Sequence, residues 1–229
     1  MTARLGTPRL HLRLTGSTNE RARELAWAGA PHGTLVTAGE QAAGRGRQGR
    51  TWSAPAGRAL LLSLVLREWP PLLPLAAAVA IADLAGEDAR IKWPNDVLVD
   101  GRKVAGTLVE GRPQEGWAVL GIGVNVAVRV EDLPGELRER AGTLNLAPDA
   151  IEPLLARLLG ELERRLAQDG AALLADFRAR DALLGRDVRW QRGEGVGAGI
   201  DHDGRLLVDR PDGTREALDA GEVHLSPPG

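Results

Sequence analysis

Apolar residues along the chain follow two patterns, which together predict a central sheet with helices around it. Mostly apolar runs, typical of buried strands, are interspersed with segments whose apolar positions recur at helical spacing. The runs that predict strands lie at 34–40, 59–67, 90–93, 97–99, 103–110 and 117–125. The segments that predict helices lie at about 18–29, 72–86, 151–168 and 171–184. Strands grouped in the middle of the chain, with helices before and after them, indicate an α+β fold.

Short polar signals mark the ends of some of these elements. Ser17 and Glu20 have the Ser-x-x-Glu spacing of a capping box, which predicts that a helix begins there. Asp100 and Gly101 predict a hairpin turn between two strands. The segment 128–143 is charged and interrupted by glycine and proline, so we expect it to be a mobile loop.

The pattern changes abruptly after Gly185. Short strand-like pieces follow, separated by Asp-Gly pairs that are typical of tight turns. These pieces lie at 188–190, 196–200, 206–208 and 222–225. We therefore expect two domains, 1–184 and a small β-barrel at 185–229.

Composition excludes several classes of function. The chain has 229 residues and a net charge of −2, so its overall charge attracts neither nucleic acid nor an anionic membrane. The absence of cysteine excludes disulfides, thiolate nucleophiles and cysteine metal sites, and the four scattered histidines predict no metal site. The N-terminus lacks the apolar run of a signal peptide and the apolar segment 72–86 is too short to span a bilayer, so a cytoplasmic protein is expected.

Lysine is rare in a chain rich in arginine. Only Lys92 and Lys103 are lysine among the 29 basic residues. A coding preference explains the bias, but it makes the two exceptions informative. An ammonium is a compact point charge that fits against one phosphate or carboxylate oxygen, whereas a guanidinium is a planar fork. Both positions are therefore candidates for a specific chemical role.

The segment Gly44–Trp52 predicts an anion-binding loop. It has the sequence GRGRQGRTW and lies in a window, 41–67, that holds five arginines and no acidic residue. Its glycines let the backbone approach a ligand, and its arginines can pair with phosphate or carboxylate. The P-loop pattern is absent. A loop that touches nucleic acid is the alternative, although Trp52 is the only aromatic residue available for base stacking.

Two further segments combine polar side chains with restricted backbone. Pro94 in the Lys92–Asp96 segment forbids a helix there and forms a corner that can present Asn95 to a nucleotide. Lys103 follows a turn and precedes two small residues that allow a ligand to approach. Each segment taken alone is also compatible with a hairpin that carries incidental surface lysines.

A third segment, Gly121-x-Gly123-x-Asn125, ends an apolar strand. Glycines in strands often mark only a bulge or tight packing, so this signal is weak by itself. Asn125 could place an amide beside a nucleotide.

Taken in order, these segments closely resemble the motifs of the biotin protein ligases. The motifs are Ser17-Thr18-Asn19, Gln41 with Gly44-Arg45-Gly46-Arg47, Lys92 to Asp96, Gly101 to Glu110, and Gly121 to Asn125. The resemblance covers nearly the whole chain, because that family also has a small C-terminal Src-homology-3-like barrel. It implies a biotin/lipoate ligase-like, class II synthetase-like fold: a central mixed β-sheet flanked by helices.

The resemblance also implies an activity. The family uses biotin and MgATP to make biotinyl-5′-AMP, releases pyrophosphate, and passes biotin to one lysine of a biotin carboxyl carrier domain. Some members have an N-terminal repressor domain. Here the motifs begin at Ser17, so the enzyme-only class is implied and no DNA operator is expected. A homodimer paired through the edge of the sheet is compatible with the resemblance.

The same resemblance assigns residues to the two substrates. Lys103 and Arg47 are implied to be catalytic, with Lys103 bridging the biotin carboxylate and the α-phosphoryl group. The biotin side is implied to comprise Ser17, Thr18, Asn19, Gln41, Gly44, Arg45, Gly46, Arg47 and Lys103. The nucleotide side is implied to comprise Arg50, Trp52, Lys92, Asn95, Gly121, Gly123 and Asn125.

Two other functions stay open from the sequence. A lipoate ligase or lipoyl transferase has a similar fold, although the Gly-Arg-Gly-Arg loop favours biotin. A non-enzymatic nucleic-acid-binding module would combine an arginine loop with a small barrel, and the balanced charge argues against it.

Overall fold

The described residues of a computed structural model, 4–219, 221 and 223–225, contain a seven-stranded sheet. Its strands are β1 (Arg9–Leu12), β2 (Leu35–Ala38), β3 (Ala59–Leu66), β4 (Arg90–Lys92), β5 (Asp96–Val99), β6 (Arg102–Arg112) and β7 (Trp117–Asn125). They are ordered β1-β2-β3-β7-β6-β5-β4. β1 and β2 are parallel and the other neighbours are antiparallel, so the expected mixed sheet is confirmed.

Strand β1 was not predicted from the sequence. It lies at the edge of the sheet and pairs only with β2. Three of its four residues are exposed. An exposed edge strand lacks the apolar run that identifies the central strands, and so the pattern gave no signal for it.

The two faces of the sheet are covered unequally. The helices α2 (Leu73–Ala85), α4 (Ile151–Leu166) and α5 (Gly170–Arg178) pack on one face and enclose the main core. Alternate residues of β3, Leu60, Leu62, Leu64 and Leu66, point into this core. Helix α1 (Thr18–Trp27) covers part of the other face through Ala22 and Ala26. The rest of that second face is left for polar side chains and glycines.

Helix α2 consists almost entirely of buried apolar residues. Like the other described helices, it falls short of the length and apolar character needed to cross a membrane.

One predicted helix cap and one predicted helix end differ from the structure. Ser17 is the residue before α1, but its side chain makes no capping hydrogen bond. The amide of Thr18 instead donates to Oε1 of Gln41 at 2.7 Å, so the predicted capping box is wrong. Helix α5 ends at Arg178, because the following residues run beside β4 and exchange backbone hydrogen bonds with Ile91.

The segment 128–143 contains more structure than a loop. A 3-10 turn at Val130–Asp132 is followed by the short helix α3 (Gly135–Arg138). Val128 and Leu133 are buried in a small apolar cluster with β3 residues Ala59 and Leu61. The backbone of this segment also pairs with Lys103: the Lys103 amide donates to the Arg140 carbonyl at 2.7 Å, and the Gly142 amide donates to the Lys103 carbonyl at 2.8 Å. Mobility of the segment on ligand binding stays a prediction.

The C-terminal part forms a second, antiparallel sheet. Its strands are β8 (Asp187–Trp190), β9 (Gly193–Ile200), β10 (Leu206–Asp209), β11 (Arg215–Leu218) and β12 (His224–Leu225), in the order β11-β10-β9-β8-β12. β11 was not predicted, and Glu222 of the last predicted strand lies outside the described residues. The five strands are not closed into a barrel. Nε1 of Trp93 donates to the carbonyl of Gly204 at 2.9 Å and ties this sheet to the first one.

The connection between the two sheets contains a largely buried carboxyl group, that of Asp181. Its Oδ1 accepts a hydrogen bond from the Leu183 amide, while Oδ2 is buried and has no partner among the described residues. Burial raises the pKa of Asp181, so the folded state binds its proton more tightly than the unfolded state does. This residue therefore favours folding at low pH, and that contribution is lost as pH rises through the folded pKa.

Replacing Asp181 by asparagine is expected to raise the free energy of unfolding at neutral pH by about 1 kcal/mol, because an uncharged group costs less to bury. The gain should shrink as the pH falls below the carboxyl group's folded pKa. Urea unfolding at neutral and acidic pH measures both effects. Asp187→Asn, at an exposed position of β8, is the control. A gain in the free energy of unfolding that does not depend on pH would show that burial of the ionised carboxyl group is not its cause.

Candidate active site on the open face of the sheet

Three glycines form the floor of the candidate site. Gly106 of β6 lies directly opposite Gly123 of β7, and Gly121 precedes it on the same face. A Cβ at Gly123 would lie 2.5 Å from the ring of Trp52, and a Cβ at Gly121 would lie 2.0 Å from Oδ1 of Asn19. Glycine is required at these positions because other side chains lie directly against the strand backbone.

A chain of hydrogen bonds lies over one end of this floor. Oε1 of Gln41 accepts from the amide and the hydroxyl of Thr18, at 2.7 and 3.1 Å. The Ser63 hydroxyl lies 2.8 Å from Oγ1 of Thr18 and 2.6 Å from Oδ1 of Asn19. Thr18, Asn19 and Ser63 are all buried. The three residues predicted from the sequence, Thr18, Asn19 and Gln41, are therefore brought together.

Ser63, which links them, was missed by the sequence analysis. It is the only polar residue in the strand Ala59–Leu66 and is fully buried. A hydroxyl at a core position needs a partner, and this requirement was the available signal. Ser17, the residue before Thr18, is also buried, but its side chain makes no capping hydrogen bond.

The predicted anion-binding loop has a defined hairpin-like shape. The Gly46 amide donates to the Arg50 carbonyl at 2.7 Å, and the Trp52 amide donates to the Gly44 carbonyl at 2.9 Å. A Cβ at Gly44 would lie 2.4 Å from the carbonyl oxygen of Trp52, so this position requires glycine. The loop borders a cleft of about 400 Å³ that is closed on the other side by Leu108 and Glu110.

Two arginines of the loop are held by polar partners around the cleft. The Arg45 guanidinium lies 3.8 Å from the Glu20 carboxylate and 4.0 Å from the Glu110 carboxylate. Arg47 donates to Oδ1 of Asn95 at 3.0 Å and to the carbonyl of Gly221 at 3.2 Å. The cation of Arg47 is thereby joined to the Lys92–Asp96 corner and to the C-terminal sheet.

Lys103 lies between an acidic and an aromatic side chain. Its Nζ forms an ion pair of 2.6 Å with Oδ1 of Asp96 and lies 5.6 Å from the centroid of the Trp52 ring. A Cβ at Gly106 would lie 2.9 Å from its Cε and 3.0 Å from its Nζ. The lysine stem therefore crosses the glycine floor. Asp96 belongs to the Lys92–Asp96 motif, but the sequence alone did not predict its pairing with Lys103.

The remaining predicted residues lie around this centre. Asn95 donates from Nδ2 to the Thr107 carbonyl at 2.7 Å, which orients the Oδ1 that receives Arg47. Lys92 is opposite Asp96 in the β4–β5 pair, so its side chain leaves the sheet on the same face. Asn125 ends β7 and donates to Gly142, in the segment that follows 128.

Two buried polar atoms at this site have neither a hydrogen bond nor an ion pair among the described residues. They are Oδ1 of Asn125 and Nε1 of Trp52. Buried polar atoms are normally paired, so these two are suited to receive a ligand. Arg50 is exposed and lines the cleft, and its Nε donates to the Arg47 carbonyl at 3.3 Å.

No metal site was predicted, and one exposed group of metal-ligand side chains is present away from this floor. Within the described part of the chain it consists of Asp201, His202 and Asp203, in the turn between β9 and β10. The Asp201 carboxylate already accepts from Arg205 and from two backbone amides. The turn geometry explains the group without an ion.

The arrangement defines a class of protein. It is an α+β domain with a candidate site on the open face of a mixed sheet, where uncharged hydrogen-bonding groups lie at one end and the cations of Arg45, Arg47 and Lys103 lie towards the other. Residues 12–126 match the model of the biotin/lipoate A/B protein ligase family, and residues 183–226 match the biotin protein ligase C terminal domain. The chain belongs to the biotin protein ligases of this family.

Individual relatives agree with this assignment. The chain is 37% identical to the biotin--[acetyl-CoA-carboxylase] ligase of Mycobacterium tuberculosis, over 92% of this chain and 86% of the relative. It is 40% identical to the bifunctional ligase/repressor BirA of Bacillus spizizenii over 62% of this chain, and the match spans about half of that relative's length, 48%. The biotin protein ligase from Aquifex aeolicus in complex with biotin and ATP superposes with a TM-score of 0.78 at 26% identity, covering 96% of this chain and 99% of that one. The family resemblance and the fold class expected from the sequence are therefore confirmed.

Proposed function

We propose that this chain is an ATP-dependent ligase that converts biotin to biotinyl-5′-AMP and then transfers the biotinyl group to one lysine of a biotin carboxyl carrier domain. The observation that carries the proposal is that Lys103, Arg47 and a buried polar chain surround the glycine floor on one face of the sheet. Mg²⁺ enters with ATP as part of the substrate. We place the reaction in the cytoplasm, and we propose 1–184 as the catalytic domain, with 185–229 as the attached C-terminal domain.

The polar chain suits the uncharged end of biotin. Oε1 of Gln41 is engaged by Thr18, so the Gln41 amide nitrogen is left as a donor for a ureido carbonyl. Thr18 and Asn19 supply the complementary groups for the ureido nitrogens. Ser17 and Gly44 bound this end, and the glycine floor leaves room for the fused rings.

The cations suit the carboxylate end and its reaction. One carboxylate oxygen of biotin attacks the α-phosphorus of ATP, a C–O–P linkage forms, and the bond to pyrophosphate breaks. Lys103 reduces the repulsion between these two anions, and Arg45, Gly46 and Arg47 hold the charge that develops. A single donor aimed at such charge contributes about 2.7–4 kcal/mol.

The other predicted residues suit the nucleotide. Trp52 offers a ring beside Lys103, and its unpaired Nε1 can donate to the ligand. Asn95, Lys92 and Arg50 lie towards the phosphates. Gly121 and Gly123 keep the floor flat, and Oδ1 of Asn125 can accept from an amine of the adenine.

The second step transfers the biotinyl group. The neutral amine of the acceptor lysine attacks the carbonyl carbon of the adenylate, an amide bond forms, and AMP leaves with the electron pair of the broken C–O bond. The acceptor's proton passes to a base or to water. Lys103 and Arg47 favour this step as well, because the departing AMP is an anion.

Incubation of the protein with biotin, MgATP and a carrier domain, followed by intact-mass measurement, tests the proposal. One added biotinyl group on the carrier, together with pyrophosphate release, is the expected result. No modification of several carrier domains and no biotin-dependent pyrophosphate would overturn it. A thermal shift with lipoate in place of biotin would favour a lipoate ligase, the second candidate, whose family model is shared.

Replacing Arg47 by alanine is expected to shorten the lifetime of the bound adenylate by about tenfold, because a hydrogen-bonded cation beside the phosphate is lost. Its contacts with Asn95 and Gly221 would be lost at the same time. Rapid filtration after a single turnover measures adenylate retained on the protein.

Arg58→Ala is the control for this prediction, because Arg58 lies outside the Gly44–Trp52 loop. If the Arg47 variant retains the adenylate as long as the unmodified protein does, the loop does not close over the intermediate.

A further inference from the structure

Glu110, at the far end of β6, has two different sets of partners. Its Oε2 accepts from Nδ2 of Asn19 at 2.8 Å. Its Oε1 lies 3.4 Å from Arg23 and 4.0 Å from Arg45 of the anion-binding loop. This half-buried carboxylate therefore contacts both the buried polar chain and the loop, while lining the cleft.

The contact with Glu110 fixes the orientation of the Asn19 amide. A carboxylate can only accept, so the Asn19 group that faces Glu110 must be the NH₂. The Leu108 carbonyl lies 3.5 Å from the same nitrogen and favours the same orientation. Oδ1 of Asn19 must then face Ser63, where it lies 2.6 Å from the hydroxyl oxygen.

This orientation determines the direction of every hydrogen bond further along the chain. Ser63 has one hydroxyl hydrogen, which goes to Asn19 because Oδ1 can only accept. Ser63 can therefore only accept at its 2.8 Å contact with Thr18. The other neighbour of the Thr18 hydroxyl, Oε1 of Gln41, is also an acceptor. The Thr18 hydroxyl therefore donates its hydrogen to Ser63 or to Gln41. Towards a ligand it can only accept a hydrogen bond.

We propose that Glu110 is a positioning residue that sets the hydrogen-bond direction of the pocket, and so its affinity for the ureido N–H groups of biotin, without touching biotin. This inference rests on the proposed function. If the amide of Asn19 turned over, its Oδ1 would face the Glu110 carboxylate and its NH₂ would take the place of Oδ1 beside Ser63. The NH₂ would then face the ureido N–H groups, donor against donor.

Two variants of Glu110 separate its effect on the orientation of the Asn19 amide from the effect of its negative charge. Glu110→Ala frees the Asn19 amide and is expected to raise the KM for biotin by about tenfold, the usual effect of one misdirected hydrogen bond. The KM for ATP is expected to stay unchanged. Glu110→Gln keeps an oxygen that can accept from Asn19 and is expected to hold the KM for biotin within about threefold of the unmodified protein. Biotin-dependent pyrophosphate exchange measures both constants.

Glu20→Gln is the matched control. Glu20 shares the contact with Arg45 but makes no hydrogen bond to Asn19 among the described residues. It should leave the KM for biotin unchanged. In the background of Asn19→Ala, where no amide remains to be oriented, Glu110→Ala should have little further effect on biotin.

The outcomes are distinguishable. Equal changes in the KM values for biotin and ATP, or full additivity with Asn19→Ala, would overturn the positioning role. So would an effect of Glu20→Gln as large as that of Glu110→Ala, because Arg45 alone would then explain it. A thermal melt of each variant identifies loss of the fold, in which case Glu110→Gln decides. An unmodified protein that neither binds nor activates biotin overturns the proposed function and this inference with it.

Discussion

Replacing Lys103 by arginine is expected to reduce adenylate formation by at least about tenfold, even though the positive charge is kept. In the proposed reaction the lysine ammonium lies between the biotin carboxylate and the α-phosphoryl group. It offers three donors that can rotate towards both anions as the bond forms. A guanidinium presents its donors in one plane and cannot adjust in this way.

The surroundings of Lys103 also disfavour arginine. The stem of the lysine lies across Gly106, where even a Cβ would come within 3.0 Å of Nζ, and the Trp52 ring lies on another side. Asp96 already holds Nζ at 2.6 Å. A longer and wider head group must leave this space, and its charge then moves away from the reacting atoms.

Pyrophosphate release in a single turnover with biotin and ATP measures the effect of Lys103→Arg. Arg102→Lys makes the reverse exchange at the neighbouring exposed position and should leave the rate unchanged. A thermal melt checks that both variants are folded. Near-normal pyrophosphate release from Lys103→Arg would show that any cation at this position suffices.

The central strands and most helices could be predicted because they are buried in a simple pattern. Every residue of β3 and of β7 is buried, and both strands gave mostly apolar runs. The missed strands, β1 and β11, are largely exposed and carry no such run. The sequence predicted that α5 extends to about residue 184, but the helix ends at Arg178. The following residues pair with Ile91, and the local sequence pattern carries no signal for that tertiary contact.

The candidate site divides in the same way. Residues within short motifs, such as Thr18, Gln41 and Arg47, could be found because the order of these motifs resembles that of the biotin protein ligases. The partners that orient them could not, because they come from other strands and depend on register. Ser63 lies opposite Gly121, and Asp96 lies opposite Gly106. Only the pairing of the strands brings these groups together.

The two lysines differ in their surroundings. Lys92 is in the short edge strand β4, beside the corner that presents Asn95. Lys103 lies over the glycine floor between Asp96 and Trp52. We therefore expect the chemical step to depend on Lys103, with Lys92 in a supporting position near the phosphates.

Replacing Gly123 by alanine is expected to impair the site by about tenfold to a hundredfold in the KM for ATP, through overpacking of the glycine floor. The added methyl group would lie 2.5 and 2.7 Å from two atoms of the Trp52 ring, well inside contact distance. The ring has little room to turn aside, because it packs against the small apolar cluster that contains Ala59, Leu61 and Val128. Displacement of the ring also disturbs its contact with Lys103.

The Trp52 ring can be removed to test this cause. In the background of Trp52→Ala, Gly123→Ala should have almost no additional effect, since the methyl group would occupy vacated space. Gly135→Ala, where an added Cβ meets nothing within 4 Å, is the control for a glycine-to-alanine change elsewhere. If Gly123→Ala is equally harmful with and without the ring, the methyl group acts on the strand or on the nucleotide directly. The glycine would then be required by the ligand and not by Trp52.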